Sequence, residues 1–584
     1  MVSTHLIPGS FTRRVGLLIA LFGAVLGGVA TISPGSAEAA ETLRDLVKQF
    51  ETTRSKPNEE RIPILQAIGK IEGPEASRYL EKVLTDGGKD QQALRETLVW
   101  ILADRGDPAA LETVITKGFE IFPEEKWGTI EQAFRAALKP EAVSWLVETG
   151  FKIVPNLKPR AQKIVLGMVL GTHDPRSGVV GQRLLGNRKI RAANQALLVD
   201  LVRLHKVTEA TKNVNKMFRY DNPELQIAVL RTLRDFNAQE YSKTFKDAIE
   251  SRHWEVRVLA ADIFGGTHDP AIVHQITPLL EDPFPQVQLA AIQALRKIGG
   301  REVIQPLIDA MLNAPGRVRD DIADTLLWLT GQDLGPDQLG WTAWWTTNGA
   351  SVEVKGITRE EFDRLRKKTE GSSTGTYYGL RVISEYVTFI VDTSGSMQEP
   401  YLAEVEDDEA GKKRERDGGT KVKPRPGEKG KKKKKDRIER KKIEVAREQL
   451  TRAMNALKDG VQFNLISFDS LFTPWQPALI EMDDLVREQV LLFIENLNPG
   501  GTTNIFDTLI AAFEDTSVDT IYFLSDGAPT AGAVTDTEEI CRRVRELNDI
   551  RKVKIHTIGF HLDPNAEILM RRLAEENYGN FVKR

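Results

Sequence analysis

Three columns of apolar residues recur at a fixed spacing of 31 residues in the middle of this chain. Within each repeat the three positions are four residues apart, so they lie on one face of a helix. A helix pair cannot bury such a face alone, and stacked neighbours must cover it. The pattern therefore predicts an α-solenoid of helical pairs, with second helices near 272–280 and 303–311. The columns are Leu225, Val256, Val287 and Val318; Val229, Ala260, Ala291 and Ile322; and Leu233, Phe264, Leu295 and Leu326.

These repeats resemble HEAT repeats, most specifically over Leu225 to Thr330 and more loosely across residues 41–335. Armadillo and tetratricopeptide arrays have longer periods, and the tetratricopeptide signature residues are missing. Arg257 and Arg319 follow repeat valines and fit the HEAT pattern, whereas Gln288 departs from it. The resemblance implies a scaffold for protein binding. A spacer is the alternative, because the sequence does not show which face of a solenoid is used.

Three tryptophans, Trp341, Trp344 and Trp345, follow the last repeat in a predicted short helix. A repeat array needs a terminal unit that hides its last apolar face, so we expect this helix to be a cap. A binding patch is the alternative interpretation. Residues 336–380 are therefore predicted to be a capping helix and a linker.

A polar loop of the form Asp-x-Ser-x-Ser follows the apolar run Tyr386 to Val391 and contains Asp392, Ser394 and Ser396. One carboxylate and two hydroxyls at the end of a buried strand suit a hard cation that prefers oxygen ligands. Mg²⁺ needs near-octahedral coordination, so further ligands must come from elsewhere. A single loop of this kind is more often an ordinary polar turn.

Two later segments carry the missing oxygens. Thr502 follows a Pro-Gly-Gly turn that opens a predicted helix, and Asp526 follows the apolar strand Ile521 to Leu524. In an open parallel sheet, ligands collect outside the carboxyl ends of the strands at a topological switch point. Asp392 and Asp526 are therefore expected to face one ion. Ser-Asp-Gly at 525–527 taken alone could be a turn.

These residues resemble the metal-ion-dependent adhesion site of the von Willebrand factor type A domain. The resemblance implies that Ser394, Ser396 and Thr502 contact the metal, while Asp392 and Asp526 hold coordinated waters or act as ligands. Mg²⁺ is the implied cation, with Mn²⁺ or Ca²⁺ as alternatives, since these also accept oxygen. One coordination position stays open for an Asp or Glu of a partner protein, because a cation with few anionic ligands keeps its attraction for a carboxylate.

The resemblance covers roughly residues 376–584 and implies an α/β doubly wound, Rossmann-like domain, placed at 381–584. The chain is therefore expected to be multidomain, with the HEAT-like solenoid at 41–335 followed by this domain. A length of 584 residues agrees, because it exceeds what one hydrophobic core supports.

A highly charged insertion separates the metal loop from the next predicted helix and spans 398–441. Its first half is acidic, and its second half contains the run Lys431 to Lys435. Charge blocks without apolar residues cannot bury enough surface to fold, so this segment is predicted to be disordered. We hypothesise that its acidic half occupies the open metal position as a gate and that its basic half recruits an acidic partner. A solvated linker without a role is the alternative.

An export signal is predicted over residues 1–39. Arg13 and Arg14 precede an uncharged run from Val15 to Ile32, and Ala37-Glu38-Ala39 fits a cleavage site. An uncleaved anchor is the alternative, although the mature chain is expected to have no membrane span. The protein is therefore expected to be periplasmic, cell-surface or secreted. The single cysteine, Cys541, excludes an intramolecular disulfide.

Enzymatic signatures are missing from the sequence. It contains no Gly-x-Ser-x-Gly elbow around Ser394, no phosphate-binding loop and no His-Glu-x-x-His helix. His556 and His561 are interpreted as structural. A net charge of −3 gives no overall attraction to nucleic acid or membrane. Two hypotheses remain: metal-dependent protein binding without catalysis, with the solenoid as a scaffold, and polyanion binding through Lys431 to Lys435 with a structural metal site.

Overall fold

The protein is described by a computed structural model that divides into two compact units, up to Thr244 and from Phe245 to Arg584. Each unit is described by itself. Among the described residues, no helix combines the length and the apolar character needed to cross a membrane. The predicted export signal lies outside the described residues, apart from its last three positions. The structure describes residues 37–86, 92–136, 140–238, 241–370, 376–404 and 437–584.

The first unit consists of short helices packed around an apolar core. Trp127 is fully buried in that core, and its indole N–H donates to the carbonyl of Phe122 at 3.0 Å. Several of these helices begin with a proline, because the first helical turn does not use the backbone N–H that proline lacks. The helices are Ala37–Thr52, Asn58–Gly69, Pro74–Asp86, Gln92–Arg105, Pro108–Thr113, Phe119–Ile121, Trp127–Ala136, Pro140–Trp145, Phe151–Ile153, Pro159–Gly171, Arg176–Leu184, Ala192–Leu204, Thr211–Met217 and Pro223–Asp235.

The predicted apolar columns are confirmed, because all their residues are buried in the structure. Four helices carry them, one for each 31-residue repeat. The departure at Gln288 has a local explanation: its side-chain amide donates to the carbonyl of Asp282 at 2.9 Å. Arg257 donates to both carboxylate oxygens of Asp282, at 2.7 and 2.9 Å, so Gln288 and Arg257 hold the same turn. After Pro223–Asp235, the repeat helices are Ser242–Ile249, Trp254–Gly265, Val273–Ile276, Pro285–Ile298, Ile304–Met311 and Gly316–Thr330.

The tryptophan-rich segment forms the helix Gln338–Asn348, as expected from the sequence. This helix packs on Ile304–Met311 of the last repeat. Trp341 is fully buried there, and its indole N–H donates to the carbonyl of Gly335 at 2.8 Å. These are the contacts that a cap requires. The helix Arg359–Glu370 follows.

The substitution Trp341→Phe should lower the free energy of unfolding by about 1 kcal/mol, since it removes one buried hydrogen bond and leaves the Gly335 carbonyl without its donor. Chemical denaturation measures the change. Trp344→Phe, at a half-buried indole, is the matched control and should change stability less. Equal losses for the two variants would contradict the capping role of Trp341.

The last part of the chain contains the strands β1 Thr376–Tyr377, β2 Leu380–Arg381, β3 Tyr386–Asp392, β4 Pro400–Glu404, β5 Arg437–Lys441, β6 Gln462–Phe468, β7 Phe472–Pro474, β8 Ile480–Glu481, β9 Thr520–Ser525, β10 Lys554–Gly559 and β11 Phe581–Lys583. Seven of these strands form one sheet in the order β11-β10-β9-β3-β6-β7, with β8 also paired to β6. The central strands are parallel, and β7 and β8 are antiparallel to β6. The strand β6 lies on one side of β3 and the later strand β9 lies on its other side, so the order of the strands reverses at β3.

Helices cover both faces of this sheet, which confirms the predicted α/β doubly wound fold. Side chains of successive strand residues point to opposite faces, so Phe389 and Ile390 lie in different apolar cores. The Phe389 core is covered by the helices Lys442–Ala456 and Asp484–Glu495. The Ile390 core is covered by the helices Ile505–Glu514, Thr537–Arg551 and Pro564–Glu575.

The prediction that the insertion 398–441 is disordered is wrong at the two ends of the segment. There, β4 and β5 pair as an antiparallel ladder from Pro400↔Lys441 to Glu404↔Arg437. Backbone hydrogen bonds stabilise this ladder without requiring apolar side chains, which a prediction based on composition misses. The rest of the insertion, 405–436, lies outside the described residues, including Lys431 to Lys435 and the acidic half beyond Glu404. The hypothesised acidic gate therefore stays a prediction, although Glu399 at its start is described and is paired with Lys442.

The last repeat helix, Gly316–Thr330, packs against the amino-terminal ends of β9 and β10. Arg317 donates to the carbonyls of Asp519 and Lys552, the second at 2.6 Å. Lys554 is paired with Asp321 on the same repeat helix. These contacts leave the opposite, carboxyl ends of the strands free to form a site.

Candidate functional site

Asp392 ends β3 and ties it to the end of β9. It is fully buried, and one carboxylate oxygen accepts a hydrogen bond from the backbone N–H of Ser394 at 2.7 Å. The other oxygen accepts from the hydroxyl of Ser525, the last residue of β9, at 2.6 Å. The carboxyl ends of two neighbouring parallel strands are therefore joined through one buried carboxylate.

The two loop hydroxyls continue this hydrogen-bonded chain. The hydroxyl oxygens of Ser394 and Ser396 lie 3.1 Å apart. Ser396 donates to one carboxylate oxygen of Asp526 at 2.7 Å. Asp392, Ser394, Ser396 and Asp526, four of the five predicted residues, are thus brought together, although they come from strands that are far apart in sequence.

Thr502 lies beside the loop, but its hydroxyl is bonded elsewhere. The backbone N–H of Gly395 donates to the carbonyl of Gly501 at 3.2 Å, which places the two turns in contact. The exposed hydroxyl of Thr502 donates to the hydroxyl of Ser470 at 2.9 Å. The role of Thr502 as a direct metal contact stays a prediction, and Ser470 is a neighbour that sequence reasoning missed.

The turn before Thr502 requires a glycine at position 501. Its φ of +71° lies in the left-handed region, and a Cβ atom would stand 2.7 Å from the hydroxyl oxygen of Ser470. Any larger residue would push Ser470 away from the turn. The glycine therefore permits the close approach of the Thr502 turn to Ser470.

The cluster differs from an ordinary polar turn because its two carboxyl groups are buried. Burial raises the pKa of Asp392 to about 6, and the nearby Asp526 carboxylate adds to the shift. Two buried carboxylates and two hydroxyls form an oxygen-only set with excess negative charge, which fits a hard divalent cation. Asp392, Ser394, Ser396 and Asp526 are the residues that could hold such an ion.

Lys442 is the main site residue that sequence reasoning missed. Its ammonium donates to the second carboxylate oxygen of Asp526 and to Glu399, at 2.8 Å in each case. Burial lowers the pKa of Lys442, but the hydrogen bonds to Asp526 and Glu399 outweigh it and leave the pKa above its usual value. Lys442 stands directly beyond the lysine-rich insertion, so nothing in composition distinguishes it from solvated lysines.

A second acidic cluster consists of Asp320, Asp321 and Asp324 in the helix Gly316–Thr330. Among the residues that the structure describes, it is the group of three or more His, Cys, Asp or Glu side chains whose ligand atoms are close enough to share an ion. Each of its carboxylates has a basic partner within the chain. These pairs neutralise the cluster, and we do not interpret it as a metal centre. The partners are Arg381 and Arg366 for Asp320, Lys554 for Asp321 and Arg366 for Asp324.

His556 has a structural environment, in agreement with its interpretation from the sequence. It is buried and stacks on Tyr522 with ring centroids 4.9 Å apart. Its Nδ1 accepts a hydrogen bond from the backbone N–H of Asn580 at 3.1 Å. Burial holds its pKa well below the usual value, so the ring is neutral at pH 7.

Two families match this chain. Residues 242–326 match HEAT repeats, and residues 436–582 match the von Willebrand factor type A domain. The second match includes Thr502 and Asp526 but begins beyond the Asp392 loop.

Similar proteins agree with the second match. The human von Willebrand factor A domain-containing protein 3A is 31% identical over 120 residues, which cover 20% of this chain and 10% of that protein. The human inter-alpha-trypsin inhibitor heavy chain H4 is 31% identical over 150 residues, covering 24% of this chain and 16% of the relative. The chain thus matches only a small part of either protein. A solved von Willebrand factor type A structure from Catenulispora acidiphila has 18% identity and a TM-score of 0.25, and the likeness covers 35% of this chain and 39% of that one.

Proposed function

We propose that this chain, which combines HEAT repeats with a von Willebrand factor type A domain, is an exported binding protein without enzymatic activity. Both modules indicate protein partners. In the proposal, the von Willebrand domain binds an acidic group of a partner protein in a Mg²⁺-dependent way. The HEAT-like solenoid supplies a second surface for protein contacts.

One observation carries the proposal: the hydrogen-bonded cluster at the carboxyl ends of β3 and β9. Asp392 and Asp526 stand at the point where the strand order reverses, which is where open α/β sheets bind ligands. The hydroxyls of Ser394 and Ser396 lie 3.1 Å apart, and Ser396 donates to Asp526. The closeness of these oxygen-bearing groups supports a shared ion at the loop.

Different residues of this chain would have different roles in binding the cation. Asp392, Ser394, Ser396 and Asp526 would hold the cation, and Ser525 orients Asp392 through its 2.6 Å hydrogen bond. Thr502, on the adjacent turn, is exposed and would complete the set after leaving Ser470. A divalent cation bound there would supply a positive charge that attracts a carboxylate.

A cleft of about 240 Å³ beside the loop gives the partner a place to dock. Thr393 of the metal loop lines it, together with Asp469, Leu471 and Phe493. Leu471 is 75% exposed, an unusual position for a leucine next to a polar site. A partner that presents an acidic residue next to an apolar one would fit this surface.

Export belongs to the same proposal and rests on the sequence of residues 1–39. Arg13, Arg14 and the uncharged run that follows favour secretion into the periplasm, to the cell surface or into the medium. Comparing the mature amino terminus with Ala39 by mass spectrometry tests cleavage. A mature chain that keeps Arg13 would contradict it.

The binding proposal is tested by a pull-down from the native envelope with the full chain, in Mg²⁺ and in a chelator. We expect a partner protein to be captured in Mg²⁺ and lost with the chelator. Capture that resists the chelator but falls steeply with salt would instead favour polyanion binding, because phosphate contacts release counterions. Capture that depends on neither condition would overturn the metal-dependent proposal.

A further inference from the structure

Lys442 places a permanent positive charge inside the proposed metal site. It begins the helix Lys442–Ala456, and its side chain is only 5% exposed. Its ammonium stands 2.8 Å from the carboxylate oxygen of Asp526 that Ser396 does not use. Asp526 is therefore held by a hydroxyl on one oxygen and by an ammonium on the other.

This ammonium offsets the negative charge of the two site carboxylates, Asp392 and Asp526. Asp392 and Asp526 are buried carboxylates that one chain of hydrogen bonds brings into the same cluster, where their like charges repel each other. The positive charge of Lys442 balances one of them in a region of low dielectric, where such interactions are strong. The same charge repels any second cation that approaches Asp526.

Glu399 shares the ammonium with Asp526. It follows the turn Gly395–Gln398, which contains Ser396, and its side chain is 64% exposed. Its carboxylate stands 2.8 Å from the ammonium, and its backbone carbonyl accepts from the backbone N–H of Lys442 at 3.1 Å. Glu399 therefore competes with Asp526 for the charge of Lys442.

We propose that Lys442 is the resident counter-cation of the site, that a divalent cation competes with it for Asp526, and that Glu399 weakens its hold on Asp526. Lys442 is then a positioning residue that sets the affinity for metal. This inference rests on the proposed function, because it presupposes that the Asp392 cluster binds a divalent cation.

Two variants of this ion pair should shift metal affinity in opposite directions. Lys442→Met removes the competing charge, so the Kd for MgCl₂ should fall by about tenfold, while the metal-free protein should melt at a lower temperature. Glu399→Gln leaves the ammonium to Asp526 alone, so the Kd should rise by about threefold, a modest effect because Glu399 is exposed. Lys442→Arg keeps the charge and should stay within about threefold of wild type.

The measurement is calorimetric titration of the full-length chain with MgCl₂ alone, followed by thermal melting without metal. A role limited to anchoring the helix would make Lys442→Met bind metal equally well or more weakly, and that result would overturn the inference. If Lys442→Met does not fold, Glu399→Gln decides alone, and unchanged or tighter binding overturns it. A wild-type chain that takes up no Mg²⁺ would overturn both this inference and the proposed function, whereas a wild type that binds leaves the function standing.

Discussion

The substitution Asp392→Asn should stabilise the metal-free protein at pH 7 and abolish the Mg²⁺ binding that we propose for this site. Asp392 is fully buried, and its pKa is raised from 3.8 to about 6 by burial and by Asp526. A neutral amide avoids this cost, so the gain in the free energy of unfolding is expected to be up to about 3 kcal/mol. The loss of one of two carboxylates should weaken Mg²⁺ binding by at least about a hundredfold.

The pH dependence of this gain has a definite sign. A carboxyl group with a raised pKa in the folded state binds its proton more tightly when folded than when unfolded. Its cost to stability is therefore fully present above about pH 6 and disappears as the pH falls below 3.8. The difference in stability between Asp392→Asn and wild type should shrink over this window. Chemical denaturation in chelator at several pH values measures it.

Asp519→Asn is the matched control for the Asp392 prediction. Asp519 is a second carboxyl group whose pKa is raised by burial, and it precedes β9 at the end opposite the site. This variant should leave the affinity for Mg²⁺ unchanged. A lower stability of Asp392→Asn without metal would contradict the predicted cost of burying this charge, and retained Mg²⁺ binding would contradict the proposed role of Asp392 in holding the ion.

The second large effect is expected at the contact between the last repeats and the sheet. Lys552 is 1% exposed, and its ammonium stands 2.6 Å from a carboxylate oxygen of Asp262 and 3.1 Å from the hydroxyl of Tyr578. Its pKa is raised because Asp262 outweighs the effect of burial. Lys552→Met would leave Asp262 charged and unpaired in a buried place, which costs about 3 to 5 kcal/mol.

A double-mutant cycle separates this charge effect from simple loss of packing. Asp262→Leu combined with Lys552→Met removes both charges, so the double variant should recover most of the stability that Lys552→Met loses. Lys552 has a left-handed φ of +56°, which methionine tolerates no worse than lysine, so backbone strain does not confuse the comparison. Additive losses would contradict a coupled pair. Denaturation followed by tryptophan fluorescence measures all four proteins.

The repeats were predictable because burial leaves a periodic trace in the sequence. Leu295 and its counterparts must be apolar wherever neighbouring helices stack, and the spacing of 31 residues exposes that requirement directly. The position of the Asp392 loop at the end of a strand was also predictable, since the loop follows an apolar run of residues. Asp526 was placed correctly in space by one general rule, that parallel strands bring their carboxyl ends to the same edge of a sheet.

Two kinds of contact were not predictable from the sequence: those that depend on side-chain direction, and the pairing of backbones that are distant in the chain. Thr502 was expected to face the loop, yet its hydroxyl is bonded to Ser470, which stands on a different turn. Lys442 was hidden in a lysine-rich stretch, although it is buried and paired with Asp526. The insertion looked disordered throughout, although the backbones at its two ends pair as strands.

The sequence by itself determined the stacked helical pairs and the oxygen-rich loop at the end of β3, because periodicity and local motifs depend on residues close together in the chain. Its resemblance to the von Willebrand factor type A domain implied the doubly wound sheet. Only the tertiary structure decided which charges meet, Lys442 with Asp526 and Lys552 with Asp262. Such pairs join residues 84 and 290 positions apart, and one charged side chain leaves no pattern that identifies its distant partner.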